Sequence, residues 1–164
     1  MKKDKEKFLQ VLADHQLIIF KVCKIYCEDE DDQKDVAQEI IIQLWQSFHR
    51  FDPKYKYSTW IYRIALNVSI SHLRKSSKRS KNHAPLEDDF LEINEEKNDQ
   101  ENVELLYQFI HQLNGLNKAL MLLYLEDKSH QEIAEILNIS KSNVGTKISR
   151  IKDHLRQQFE KQKT

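Results

Sequence analysis

Residues 129–156 read SHQEIAEILNISKSNVGTKISRIKDHLR, and this stretch decides the fold of the second half of the chain. Ser129, followed three positions later by Glu132, predicts a capping box at the start of a helix. Residues 138–140 have the length of a tight turn, and Ser140 can cap the helix that follows. The stretch therefore predicts two helices joined by a turn, which is the helix-turn-helix arrangement.

The second of these helices has two different faces. Its apolar residues Val144, Ile148, Ile151 and Leu155 recur at steps of four, three and four, which predicts one buried stripe. The opposite face carries side chains that can read bases or hold phosphates in the major groove. They are Lys141, Ser142, Asn143, Thr146, Lys147 and Arg150. Two short amphipathic helices also occur in bundles that bind no DNA, so the pattern alone leaves both interpretations open.

Charge favours the DNA-binding interpretation. From Lys141 to Arg156 there are five cations and one anion, whereas the 164-residue chain has 26 of each sign and a formal net charge of zero. The positive helix is therefore a local feature, suited to contact with phosphates.

The composition favours helices. Gly and Pro occur only twice each, and apolar residues recur with a helical period, so we expect an all-α protein of two small helical domains.

Several classes of protein are not favoured by the sequence. It has no apolar run long enough to span a bilayer, and the charged start MKKDKEKF does not resemble a secretory signal, so we expect a cytoplasmic protein without direct membrane insertion. Cys23 and Cys27 lie four apart in an apolar stretch and are expected to be buried on one helix face. Neither a metal site nor a disulfide is favoured there. We predict no cofactor, metal or catalytic residue.

The predicted organisation is a helical domain over residues 5–76, a flexible charged linker over residues 77–101 and a helix-turn-helix domain over residues 102–160. In the linker a basic run is followed by an acidic one, and apolar residues are few, which is typical of a tether. The helices expected before the helix-turn-helix cover residues 5–27, 33–50, 58–75, 101–113 and 116–127, with a loop at residues 51–57.

The first domain has two polar surfaces. On its second helix, Asp35, Gln38 and Glu39 share an exposed face, which the residue pattern alone would assign to solvent. The loop and the third helix interleave aromatic and cationic side chains, which suits unpaired DNA because bases stack on rings while phosphates pair with cations. The candidates are Lys54, Tyr55, Lys56, Tyr57 and Arg63, with Asn67 and Ser71 on the outer side of the helix. Trp60 and Tyr62 are alternatively part of the core.

Three segments carry a resemblance to a known family. Residues 35–39 (DVAQE) with Trp45, and residues 59–67 (TWIYRIALN), resemble the second conserved region of bacterial sigma factors. The helix-turn-helix resembles their fourth region. The two regions in this order, separated by a short linker, resemble the minimal, extracytoplasmic-function group, and the likeness covers about residues 8–158.

The resemblance implies a function for each surface. Such a protein binds core RNA polymerase, brings it to particular promoters and helps to open the duplex. Positions matching Asp35, Gln38 and Glu39 dock on a coiled coil of the largest polymerase subunit. The loop and third helix recognise the downstream promoter element and capture a flipped base, while the helix-turn-helix reads the upstream element. The linker threads toward the active-site cleft or is only a solvated tether.

Other points stay open in the sequence. Members of the group are often held inactive by an anti-sigma factor, and the sequence leaves open whether this chain has such a partner. Gly145 departs from the family pattern and would permit close approach to the DNA backbone. A stand-alone helix-turn-helix regulator, dimerising through its first domain, is the alternative function. A metal-dependent nuclease using residues 28–32 is disfavoured, because consecutive acids at a helix start act as caps.

Overall fold

A computed structural model describes residues 2–79 and 99–163, and all regular structure in these two ranges is helical. The α-helices are α1 (Lys2–Asp14), α2 (Gln16–Tyr26), α3 (Glu30–Ser47), α4 (Tyr57–Arg79), α5 (Asp99–His111), α6 (Gly115–Leu125), α7 (His130–Leu137) and α8 (Lys141–Lys163). A short 3-10 helix, Phe48–Arg50, follows α3. The prediction of an all-α fold is confirmed. Most of the predicted linker, residues 80–98, lies outside the described ranges.

The single first helix predicted for residues 5–27 is wrong, because the chain breaks at His15. This residue has φ −123° and ψ 16°, outside the helical region. Its ring nitrogen Nδ1 donates to the carbonyl of Val11 at 2.8 Å, and its backbone amide donates to Leu12 at 3.2 Å. These two bonds satisfy carbonyl groups at the end of α1. Apolar residues lie on both sides of the break, so their spacing did not indicate it.

Helix α3 begins three residues earlier than predicted because an aspartate caps it. The side chain of Asp29 accepts a hydrogen bond from the amide of Asp31 at 3.1 Å. Glu30, Asp31 and Asp32 then occupy the first turn, where the helix dipole favours negative charge. The acidic residues thus cap α3 and occupy its first turn, as expected for consecutive acids at the start of a helix.

Helix α4 forms the centre of the N lobe, the name used here for α1–α4. It packs against both α2 and α3. Its Ile61 and Leu66 are fully buried, as are Ile40 and Leu44 on α3. His72, further along α4, is half-buried and lines a groove between α3 and α4.

The C lobe, α5–α8, contains the predicted helix-turn-helix. The capping box is present: Ser129 Oγ accepts from the Glu132 amide at 3.1 Å, and the Glu132 carboxylate accepts from the Ser129 amide at 3.2 Å. Asn138, with φ 56°, ends α7 in the left-handed conformation that asparagine tolerates. Ser140 Oγ then accepts from the Asn143 amide at 3.1 Å. The predicted stripe of α8 is buried throughout.

The two lobes are in contact. Helix α4 packs against α6 and α7, and α2 packs against α5 and α6. The buried apolar side chains of both lobes form one continuous cluster. The sequence predicted the helices of each domain but contained no pattern that would place one domain against the other.

The capping box provides a test of the fold. Replacing Ser129 with alanine leaves the Glu132 amide without its acceptor, so we expect the free energy of unfolding to fall by about 1 kcal/mol. Urea denaturation followed by circular dichroism measures this difference. Ser149→Ala, at an exposed serine in the middle of α8, is the matched control and should leave stability nearly unchanged. Equal stabilities of the two variants would contradict the capping role.

Candidate nucleic-acid and polymerase interfaces

The N-terminal part of α8 presents a polar face to solvent. Lys141, Ser142, Asn143, Thr146 and Arg150 are exposed, whereas Lys147 is half-buried on the flank of the helix. The cap formed by Ser140 fixes the first turn, and Thr146 Oγ1 donates to the carbonyl of Ser142 at 3.1 Å. The candidate set therefore lies together on one helix, with Arg150 as its most accessible cation beyond the first turn.

Gly145 lies on the side of α8 that faces α7. A Cβ atom at this position would lie 3.6 Å from Nδ1 and 3.7 Å from Cε1 of His130, in ordinary van der Waals contact. The glycine is therefore placed at a helix–helix contact inside the helix-turn-helix, and its expected role of bringing α8 close to the DNA backbone finds no support in this placement.

Aromatic side chains from the loop after α3 and from the start of α4 form a cluster beside α1. The rings of Phe51 and Tyr57 stack at 4.2 Å, and Trp60 meets Phe51 edge-on at 5.4 Å. An open groove of about 970 Å³ runs between this cluster and α1. Trp45, 46% exposed, lines the same groove.

The groove combines aromatic rings with cations. Lys2, Lys5 and Lys7 of α1 line its other wall, together with Asp4. We name this surface the aromatic groove. The sequence interpretation placed Tyr57 in the site but missed Trp45 and the α1 lysines. The basic residues at the start of the chain could have indicated a phosphate-binding role for these lysines. Only the folded structure shows that α1 lies beside the loop.

Tyr55 and Arg63 form a second group. The Arg63 guanidinium carbon lies 4.6 Å from the centroid of the Tyr55 ring, a cation–π distance. Arg63 Nε and Nη2 both donate to the carbonyl of Glu135, at 2.9 and 2.6 Å. Lys54 and Lys56 are exposed nearby, and the Lys54 amide donates to Asp52 at 3.0 Å, which orders the loop.

A further groove lies between α3 and α4. It encloses about 370 Å³, and its walls include Asp35 and Glu39 from α3 and Asn67 and Ser71 from α4. Gln38 is exposed on α3 but does not line the groove. The structure thus brings two candidate polymerase contacts next to two candidate DNA contacts, which the sequence interpretation had assigned to separate surfaces.

The core alternative for Tyr62 is supported by its surroundings. Tyr62 is 3% exposed, and burial, followed by the nearby charge of Glu126, raises its pKa to about 12. Trp60 is half-buried.

Both cysteines are buried, as the sequence predicted. Burial, followed by the nearby charge of Asp32, raises the pKa of Cys27 to about 11, which favours the protonated thiol.

Other kinds of site are not seen in the described residues. Within residues 2–79 and 99–163, no group of three or more His, Cys, Asp or Glu side chains could hold a metal ion. None of the helices described is long and apolar enough to cross a membrane.

Sequence comparison identifies both lobes. Sigma-70 region 2 matches residues 11–79, and Sigma-70, region 4 matches residues 104–155. The ECF RNA polymerase sigma factor SigW of Bacillus subtilis is 27% identical, over 96% of this chain and 91% of its own length. The chain belongs to the extracytoplasmic-function group of sigma-70 factors. The ECF RNA polymerase sigma-E factor of Haemophilus influenzae is also 27% identical to this sigma factor, over 92% of this chain and 86% of its own length.

Solved structures share the fold of this sigma factor. CnrH, in complex with the cytosolic domain of CnrY, superposes with a TM-score of 0.69 at 19% identity, over 95% of this chain and 89% of that one. RpoE of Bartonella quintana, in complex with the anti-sigma factor NepR, gives a TM-score of 0.66 at 16% identity and covers 98% of both chains. Family membership makes this protein a factor that directs promoter-specific transcription.

The exposed position of Arg150 gives a test of the duplex-binding face. An arginine that neutralises one phosphate contributes about one unit to the slope of log affinity against log salt, so Arg150→Ala should lower that slope by about one. Fluorescence anisotropy with duplex DNA at several salt concentrations measures it. Lys24→Ala removes an exposed cation from the N lobe and should leave the slope unchanged. An unaltered slope for Arg150→Ala would remove this residue from the contact set.

Proposed function

We propose that this sigma factor divides promoter recognition between its two lobes while α3 holds core RNA polymerase. The face of α8 reads the upstream element as duplex DNA, and the loop after α3 with α4 holds a separated strand of the downstream element. The factor acts in the cytoplasm and catalyses no reaction itself. The observation that carries the proposal is the presence, in one chain, of a capped helix with an exposed polar and cationic face and of a separate groove lined by aromatic rings and lysines.

Duplex reading is supported by the chemistry of α8. Asn143 can form a bidentate pair with adenine, and Lys141 or Arg150 can reach guanine or a phosphate. Because these side chains stand on one face of a capped helix, they can enter the major groove together. Lys147 on the flank is better placed for the phosphate backbone than for base edges.

Capture of a separated strand is supported by the aromatic groove. A base that leaves the duplex loses stacking worth a few kcal/mol, and stacking on a protein ring returns about 1–3 kcal/mol. Tyr57 and Trp45 offer ring surface, while the α1 lysines offer charges for the phosphates. Lys54, Lys56, Tyr55 and Arg63 extend this set along the loop and α4.

Polymerase docking is supported by the exposed face of α3. Asp35, Gln38 and Glu39 are all exposed, and their positions match the docking residues of the family. Asn67 and Ser71 share a groove with Asp35 and Glu39, so DNA bound at these two residues would lie beside the polymerase contact. Polymerase binding and strand capture would then occur on adjoining surfaces.

A further partner is proposed from the structural relatives. One was solved with the anti-sigma factor NepR and the other with the cytosolic domain of CnrY. We extend an anti-sigma partner to this chain on that basis. The alternative function, a stand-alone regulator, is less favoured, because it would need neither the α3 face nor the aromatic groove.

Strand capture is tested by removing one ring from the groove. Tyr57→Leu keeps an apolar side chain but loses the face on which a base can stack, so we expect open-complex formation to fall about tenfold or more. Permanganate reactivity of unpaired thymines on a promoter with core polymerase measures this effect. Tyr107→Leu changes a 38% exposed tyrosine on α5 and should have no effect. Normal promoter opening by Tyr57→Leu would exclude a stacking role.

The α3 face is tested by a double substitution. Gln38→Ala with Glu39→Ala should weaken binding to core polymerase about tenfold or more, because charge-assisted hydrogen bonds across an interface are lost. Titration of labelled sigma factor with core enzyme measures the affinity. Gln157→Ala with Glu160→Ala, an exposed pair near the end of α8, serves as the control. If both double variants bound core polymerase equally well, α3 would not be the docking face.

A further inference from the structure

The aromatic groove has two walls of different chemistry. Trp45 and Tyr57 contribute aromatic rings to one wall, and the first two turns of α1 contribute charged side chains to the other. Its volume of about 970 Å³ is at the upper end of the range for sites that enclose a small molecule, so a base with its flanking phosphates fits.

Helix α1 is held in this wall by one aromatic side chain. Phe8 is 5% exposed, and its ring centroid lies 5.1 Å from that of Trp45 and 5.3 Å from that of Phe48. Asp4 precedes Phe8 by four residues, and residues with this spacing share one face of a helix. The packing of Phe8 therefore also places Asp4 on the side of α1 that faces the rings.

Asp4 is a carboxylate in a wall that otherwise suits phosphates. Among the described residues that line the groove it is the one acidic side chain, beside Lys2, Lys5 and Lys7. Its position in the first turn of α1 is favourable for the helix dipole, but the dipole does not require a particular face. Because like charges repel, Asp4 is poorly suited to the sugar–phosphate backbone of a bound strand and better suited to a base.

The chemistry of a carboxylate separates the bases into two classes. An ionised carboxylate only accepts hydrogen bonds. Unpaired cytosine, adenine and guanine each present an amino group on the edge that is paired in a duplex, and a carboxylate accepting from the cytosine amino group is a common contact. Thymine presents carbonyl oxygens on both sides of a single N–H group, so its edge opposes the carboxylate oxygens.

We propose that Asp4 makes the aromatic groove selective for a base that carries an amino group and causes it to reject thymine. This inference rests on the proposed capture of a separated strand and adds which bases the groove accepts. The base stacks on a ring of the opposite wall and donates its amino hydrogen to Asp4, while Lys2 and Lys5 hold the adjoining phosphates. Gln46 also lines the groove, but an amide both donates and accepts and therefore does not separate the two classes.

The selectivity is tested with two short single strands that differ only at the base edge. Decamers of deoxycytidine and deoxyuridine have pyrimidine rings of the same size, so stacking is similar and the amino group is the main difference. We expect the chain to bind the cytosine decamer about tenfold more tightly. In Asp4→Asn, whose amide can also donate to a carbonyl oxygen, the ratio should fall below about twofold. Fluorescence anisotropy with labelled decamers measures both affinities, for the full-length chain alone and for its complex with core polymerase.

Two matched variants separate base selection from charge. Glu6→Gln removes a negative charge from an exposed position of α1 that does not line the groove, and it should leave the ratio unchanged. Lys5→Gln removes a positive charge from the groove and should weaken binding of both decamers equally, because a phosphate contact carries no information about the base.

The possible failures are distinguishable. Equal affinities of the unmodified chain for the two decamers, or an unchanged ratio in Asp4→Asn, would overturn the role of Asp4 while strand capture stands. If neither the chain nor its complex with core polymerase bound either decamer, the proposed capture of a strand would itself be wrong, and the selectivity with it. A ratio lost equally in Glu6→Gln would assign the effect to the overall charge of α1 and would also overturn the role of Asp4.

Discussion

The burial of one side of α4 is the constraint on which the other features depend. This helix contacts α2 and α3 in its own lobe and α6 and α7 in the other. Fully burying a side chain such as Ile61 or Leu66 contributes about 1.5–3 kcal/mol. Because these residues must face inward, the polar side of α4, with Asn67 and Ser71, must face outward. The same helix therefore stabilises the fold and presents the residues proposed to bind the separated strand.

Duplex and separated DNA are recognised by different kinds of surface, and we propose that the sigma factor uses one of each. Duplex DNA displays donors and acceptors in its major groove, which a narrow polar helix such as α8 can read. A separated strand exposes ring faces and flexible phosphates, which aromatic side chains flanked by lysines can hold. The chain places these surfaces on different lobes, so one domain need not serve both forms.

Much of this arrangement followed from local sequence signals. The capping residues Ser129 and Ser140 and the buried stripe of α8 were predicted correctly because short-range spacing determines them. The break at His15 was missed, since it depends on a bond from the His15 side chain to the carbonyl of Val11 that spacing does not indicate. The aromatic groove and the bond from Arg63 to α7 join residues distant in sequence, so periodicity could not reveal them.

Transcription itself tests the central claim, that this chain confers promoter selectivity on RNA polymerase. Purified chain and bacterial core enzyme would be incubated with a library of DNA fragments, and run-off transcripts would be sequenced at their 5′ ends. The account predicts discrete start sites that require the chain and share an upstream and a downstream element. Transcripts that do not depend on the chain, or start sites without a shared pair of elements, would contradict it.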